Sequence, residues 1–137
     1  MQSPTAPAGL DAARREVTQP ASTLASVGLD DKYTAKSGKI YLSGIQALVR
    51  LPMMQRLRDE VAGLNTAGFV SGYRGSPLGG LDEALWKAQK LLEDQHVKFV
   101  PGVNEDLAAT AVWGSQQVDL IGPAKYDGVF EIGRAHV

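Results

Sequence analysis

Residues 69–85, FVSGYRGSPLGGLDEAL, constrain the fold of this chain more than any other stretch. Phe69 and Val70 favour a strand, Gly72, Gly75, Gly79 and Gly80 crowd the turn after it, and from Leu81 the apolar spacing becomes helical. A strand that opens through glycines into a helix is where α/β proteins hold ligands, because free backbone N–H groups gather there. Residues 101–117, PGVNEDLAATAVWGSQQ, repeat that order of turn and helix and add carboxylates.

The 137 residues are enough for one domain with a real core. A net charge of −1 gives no reason to expect nucleic acid or an anionic membrane as partner. No run of about twenty apolar residues is present to span a bilayer. The chain has no cysteine and only two histidines, His96 and His136. Disulfides, thiol catalysis, thiolate-held metals and a His-based triad are thereby excluded within it. The absence of cysteine is compatible with the cytoplasm, the compartment expected. Chemistry must come from carboxylates, hydroxyls, Arg, backbone amides or a bound cofactor.

Residues 1–28 are rich in Ser, Thr, Pro and Ala and read as a tail, with at most a brief helix over 12–17. KIYL at 39–42 alternates like a short strand. Ser43 with Gln46 has capping-box spacing, and Ile45, Leu48, Val49 and Leu51 give an apolar face. Pro52 predicts a break or kink, with helix resuming along Met53, Met54, Leu57 and Val61 and ending at Gly63. A strand over 67–71 precedes a helix over 81–93 with Leu81, Leu85, Ala88, Leu91 and Leu92 inside. Asp82 and Glu83 suit its positive end as a solvated face, and Glu83 with Lys87 forms a four-residue pair. A strand over 97–100 leads to Asn104, which can cap a helix over 105–118. The core side expected for that helix holds Leu107, Ala108, Ala111, Val112 and Ser115 or Val118. A last strand opens at 128–130. Strands alternating with helices of this length predict an α/β fold, a parallel sheet with crossover helices.

The glycine turn is neither a P-loop nor a G-x-G-x-x-G fingerprint, and no G-x-S-x-G elbow surrounds Ser76. A tight turn that needs glycines explains it equally well, and capping with helix-dipole complementarity explains Asn104, Glu105 and Asp106. On these residues alone, a non-catalytic anion- or nucleotide-binding assembly domain stands beside an enzyme.

The run YLSGIQALVRLPMMQRLRDEVAGLNTAGFVSGYRGSPLGGLDEALWKAQK, with PGVNEDLAATAVWGSQQ and KYDGVF, closely resembles the N-terminal region of the indolepyruvate ferredoxin oxidoreductase family. These are thiamine-diphosphate-dependent 2-oxoacid:ferredoxin oxidoreductases, and the resemblance covers residues 29–130. It implies a domain that receives the aminopyrimidine side of thiamine diphosphate, in an enzyme that oxidatively decarboxylates an aryl 2-oxoacid to acyl-CoA and reduces ferredoxin. Glu105 inherits the role of the acid that hydrogen-bonds the pyrimidine ring, with Asn104 beside it. Gly75, Ser76 and Pro77 stand where the related enzymes carry a Tyr-Pro-x-Thr-Pro turn, so they are assigned to the cofactor. Arg74, which replaces a proline of that turn, and Ser76 are assigned to substrate. The resemblance places Mg²⁺ and the iron–sulfur clusters in other parts of a longer protein. It also implies coenzyme A and ferredoxin as partners and a homo-oligomer. The domain is expected to be truncated near Phe130 and inactive alone. EIGRAHV at 131–137 resembles the in-frame translation of a sequencing-adapter oligonucleotide and is expected to be read-through.

Overall fold

A computed structural model describes residues 27–75 and 78–134. The tail and short helix expected within residues 1–26, Ser76 and Pro77 of the glycine turn, and residues 135–137 lie outside the described residues. The elements run α1 (Asp31–Thr34), α2 (Gly44–Val61), β1 (Thr66–Gly72), α3 (Gly79–Lys87), α4 (Gln89–Asp94), β2 (Val97–Phe99), α5 (Glu105–Ser115), α6 (Val118–Ile121) and β3 (Gly128–Arg134). The three strands form one parallel sheet in the order β2-β1-β3, which is an α/β fold with crossover helices.

Strand alternation sends side chains to two faces with different cover. On one face Val70, Val97 and Phe99 are buried, and Phe130 and Ile132 pack beside them. The helices α2, α3 and α4 close this face with Val49, Met53, Leu81, Leu85, Ala88 and Leu92. Leu92 is fully buried, which stabilises the fold by about 1.5–3 kcal/mol. The other face carries Ala67, Phe69 and Ser71 from β1, and α5 lies over it with Ala108 and Val112 buried.

Local signals in α2 follow the sequence closely. The Ser43 hydroxyl accepts the Gln46 N–H at 3.3 Å, and the Gln46 amide oxygen accepts the Ser43 N–H at 2.9 Å. At the far end Gly63 has φ 81, its N–H donates to Glu60 O, and Leu64 N–H donates to Asp59 O at 2.9 Å. Those paired bonds are a Schellman cap, which a residue free to take a left-handed backbone permits. Of the break or kink expected at Pro52, the break does not occur. Helix continues through it, because Val49, Pro52, Met53 and Arg56 form one buried stripe at 3–4-residue spacing. Packing of that stripe outweighs the hydrogen bond lost at the ring. Val61, expected inside, is 84% exposed at the end of the helix.

KIYL is not a strand; residues 39–42 are irregular and Tyr41 is 97% exposed. The alternation is real, but no sheet edge lies beside it to pair with. The expected helix over 81–93 is divided at Ala88 into α3 and α4, while Leu81, Leu85, Ala88 and Leu92 of its apolar stripe are buried and Leu91 is partly buried. Asp82 departs from the solvated face expected of it and is buried in the first turn of α3. In α5 only Ala108 and Val112 are buried; Leu107 and Ala111, expected inside, are exposed. One helix on this face offers one contact line, too narrow to cover the whole stripe. Beyond Phe130 the ladder runs on, with Glu131 opposite Phe69 and Arg134 opposite Gly72. Parallel pairing uses main-chain groups, so it accepts side chains that break the apolar pattern.

Candidate functional site

The two stretches singled out in the sequence leave the sheet at one edge. Gly102 N–H donates to Gly72 O at 2.8 Å, and Tyr73 and Gly102 form an isolated parallel bridge. The backbones after β1 and after β2 therefore run side by side for one step beyond the ordered strands. They then part: the chain after β1 enters α3 on the heavily covered face, and the chain after β2 enters α5 on the other. Adjacent parallel strands whose connections diverge to opposite faces open a crevice outside their carboxyl ends, where open α/β sheets bind ligands.

On the first lip Arg74 and Gly75 are exposed, and the Tyr73 ring lies against Gly75 so closely that a Cβ there has no room. Ser76 and Pro77, the other two turn residues assigned to cofactor and substrate, fall outside the described residues. Arg74 has no ion pair within 4.0 Å among the described residues; on α3, Lys87 pairs with Glu83 at 2.6 Å. That hydrogen bond from Lys87, and the Lys87 charge, hold the Glu83 carboxyl below the usual range, and the Arg74 guanidinium lowers it further.

On the second lip Asn104 caps α5, its Oδ1 accepting the Leu107 N–H at 2.9 Å. The capping role accounts for that oxygen, leaving the Asn104 amide NH₂ for any other partner. Glu105 opens α5 and is half-buried, whereas Asp106 next to it is exposed. Val103, before the cap, is 85% exposed, and Leu107, which leaves α5 on a different side from Glu105, is 54% exposed. Gly102 sets how near this helix start comes to β2, since a Cβ on it would stand 2.7 Å from Ala108 Cβ and 3.0 Å from Asn104 O.

Three residues at this edge have surroundings that their sequence context does not announce. Gly102 reads in the sequence only as half of a Pro-Gly turn. Ser71, one residue before Gly72, is buried with its Oγ lacking a hydrogen-bond partner among the described residues. Asp82 is buried where a solvated carboxylate is expected. The available signal for Asp82 is its spacing of three from Leu85, which shares a helix face with it; Ser71 gives none beyond its place in a buried strand.

No family model, curated protein or solved structure matches this chain. No group of three or more His, Cys, Asp or Glu side chains able to hold a metal occurs among the described residues. No helix among them is long and apolar enough to cross a membrane.

Proposed function

We propose that residues 29–130 supply the aminopyrimidine side of a thiamine diphosphate site in a 2-oxoacid:ferredoxin oxidoreductase of the indolepyruvate type. The observation that carries this reading is the Tyr73–Gly102 bridge, which sets the glycine turn beside a half-buried Glu105 at one sheet edge. The residues present fit the group by their chemistry. A flat heteroaromatic ring of this kind needs one carboxylate toward a ring nitrogen, and half-buried Glu105 at the start of α5 offers it.

When bound, thiamine diphosphate supplies the carbanion chemistry by which an aryl 2-oxoacid is oxidatively decarboxylated to acyl-CoA, with electrons passing to ferredoxin. The part of this chain is to bind and orient. Glu105 would hold the group by a hydrogen bond at its ring nitrogen, and Asn104 fixes the helix start that carries it. Gly75 lets the Tyr73 ring lie against the turn, and Gly75, Ser76 and Pro77 are assigned to the cofactor by the sequence resemblance. The Arg74 guanidinium, exposed at the same edge, is suited to the carboxylate of a 2-oxoacid. Mg²⁺ and iron–sulfur clusters belong, in this reading, to other parts of the enzyme.

The test places residues 29–130 in a complete enzyme of that family in exchange for its own segment. Glu105→Gln in that chimera is expected to lower oxoacid-dependent ferredoxin reduction by about 10²-fold or more. Near-normal turnover removes Glu105 from the mechanism.

A second reading, a non-catalytic anion-binding assembly domain, is favoured by the outer face of α5 and α6. Trp113 is 65%, Leu120 81% and Ile121 84% exposed there, a surface suited to a protein neighbour. Calorimetric titration separates the two readings: binding of inorganic diphosphate as tight as that of thiamine diphosphate supports the assembly domain.

A further inference from the structure

We propose that a cleft at the opposite end of the sheet binds a small apolar carboxylate, independently of the site described above. The cleft has a volume of about 500 Å³ and lies between α5–α6 and the face of β1 and β2 that α5 leaves uncovered. That volume is within the range of small-ligand sites, about 300–1,000 Å³. Phe69 and Val129 line it from the sheet.

Its charges are sorted around an apolar lining. Lys98 stands between buried Val97 and Phe99 on β2, so alternation turns its side chain out of the main core and onto this face. Lys125 contributes a second ammonium, its Nζ 5.2 Å from the centroid of the Tyr126 ring. Glu93 is the only carboxylate in the lining, leaving an excess of one positive charge. A monoanion with an apolar body complements that pattern; a dianion would meet Glu93 without further cations to offset it. His96, at the cleft wall, takes φ 57 where it ends α4, its N–H donating to Glu93 O at 2.9 Å, and its ring tilts against Tyr126 at 5.4 Å. That turn sets an imidazole and a phenol ring together at the rim, beside the Lys125 ammonium.

The test titrates the ¹⁵N-labelled 137-residue chain with octanoate and follows amide shifts. Saturable shifts at Phe69, Lys98 and Val129 are expected. In the Lys98→Gln, Lys125→Gln double variant the affinity is expected to fall about tenfold, whereas Lys90→Gln on exposed α4 surface leaves it unchanged. Both lysines of the double variant are exposed, so folding is retained. Three results overturn the proposal: 1-octanol binding as tightly as octanoate, shifts that do not saturate or that fall outside the cleft, and sedimentation showing that the shifts follow self-association, which makes a second copy the occupant.

Discussion

Ser71 shows how a single hydroxyl can be out of step with its surroundings. It lies under α5, 2% exposed, and its Oγ meets no hydrogen-bond partner among the described residues. A buried hydroxyl in that state retains a desolvation cost of about 1–3 kcal/mol. Ser71→Ala is therefore expected to leave the urea-unfolding free energy unchanged or to raise it by about 1 kcal/mol; a clear loss would show that the hydroxyl is used. Glu83 behaves in the opposite way, exposed and served by a close cation. Its carboxyl is held below the usual range first by the Lys87 hydrogen bond, then by the Lys87 charge. A depressed carboxyl favours the folded chain above its unfolded value, and that contribution disappears as pH falls through the folded one. Lys87→Gln is expected to move the Glu83 titration, followed by carboxyl ¹³C shifts, upward toward the ordinary range. At this scale the capping residues were legible, since Ser43, Gln46 and Asn104 act on backbone three positions away. Asp82 and Ser71 were not, because their burial is decided by helices brought over them from elsewhere in the chain.

Elements inherit the same division between local and distant causes. The strand at β1, the stripe of α3–α4 and the start of α5 were all legible, because each carries its own period and its own punctuation. The irregular 39–42 segment and the unbroken α2 were not. A strand requires a partner, and the cost of a helical proline is decided by what the ring packs against. Gly102 belongs to this scale, since its role is the spacing between β2 and α5. A methyl there would meet Ala108 Cβ at 2.7 Å and Asn104 O at 3.0 Å, and the latter is main chain that cannot rotate away. Gly102→Ala is expected to cost about 1–3 kcal/mol and to shift the amides of residues 104–108. At Gly114, in the same helix, an added methyl would find nothing within 4 Å. Gly114→Ala is accordingly expected to stabilise by about 0.5–1 kcal/mol through helix propensity alone. Equal effects from the two substitutions would show that the close approach at Gly102 does not hold α5 in place. The candidate site depends on this spacing, because Glu105 is carried by the turn that Gly102 admits.

For the whole molecule, the decisive asymmetry is between the two faces of the sheet. Three helices seal one face, with Val49, Leu92 and Val97 at or near zero exposure, while α5 alone covers part of the other and leaves Leu107 and Trp113 in the open. The parallel α/β class was legible because alternating strands and helices admit few topologies. The unequal cover was not, since it depends on which face each crossover takes. Local opening free energy follows the apolar area that an opening exposes. β1 should therefore be the most protected element, being paired along its full length with β3 and with β2 on its other side. Native-state hydrogen exchange is expected to show β1 and the middle of α2 opening only with global unfolding, and α5 and α6 exchanging by smaller, separate openings. Leu92→Ala should destabilise by about 2–5 kcal/mol and lower the protection of β1 by the same amount, while the α5 openings stay nearly unchanged. If α5 amides instead proved as slow as those of β1, the thinly covered face would be part of one cooperative core. Glu105 would then sit on a rigid wall rather than on an element free to adjust around a ligand.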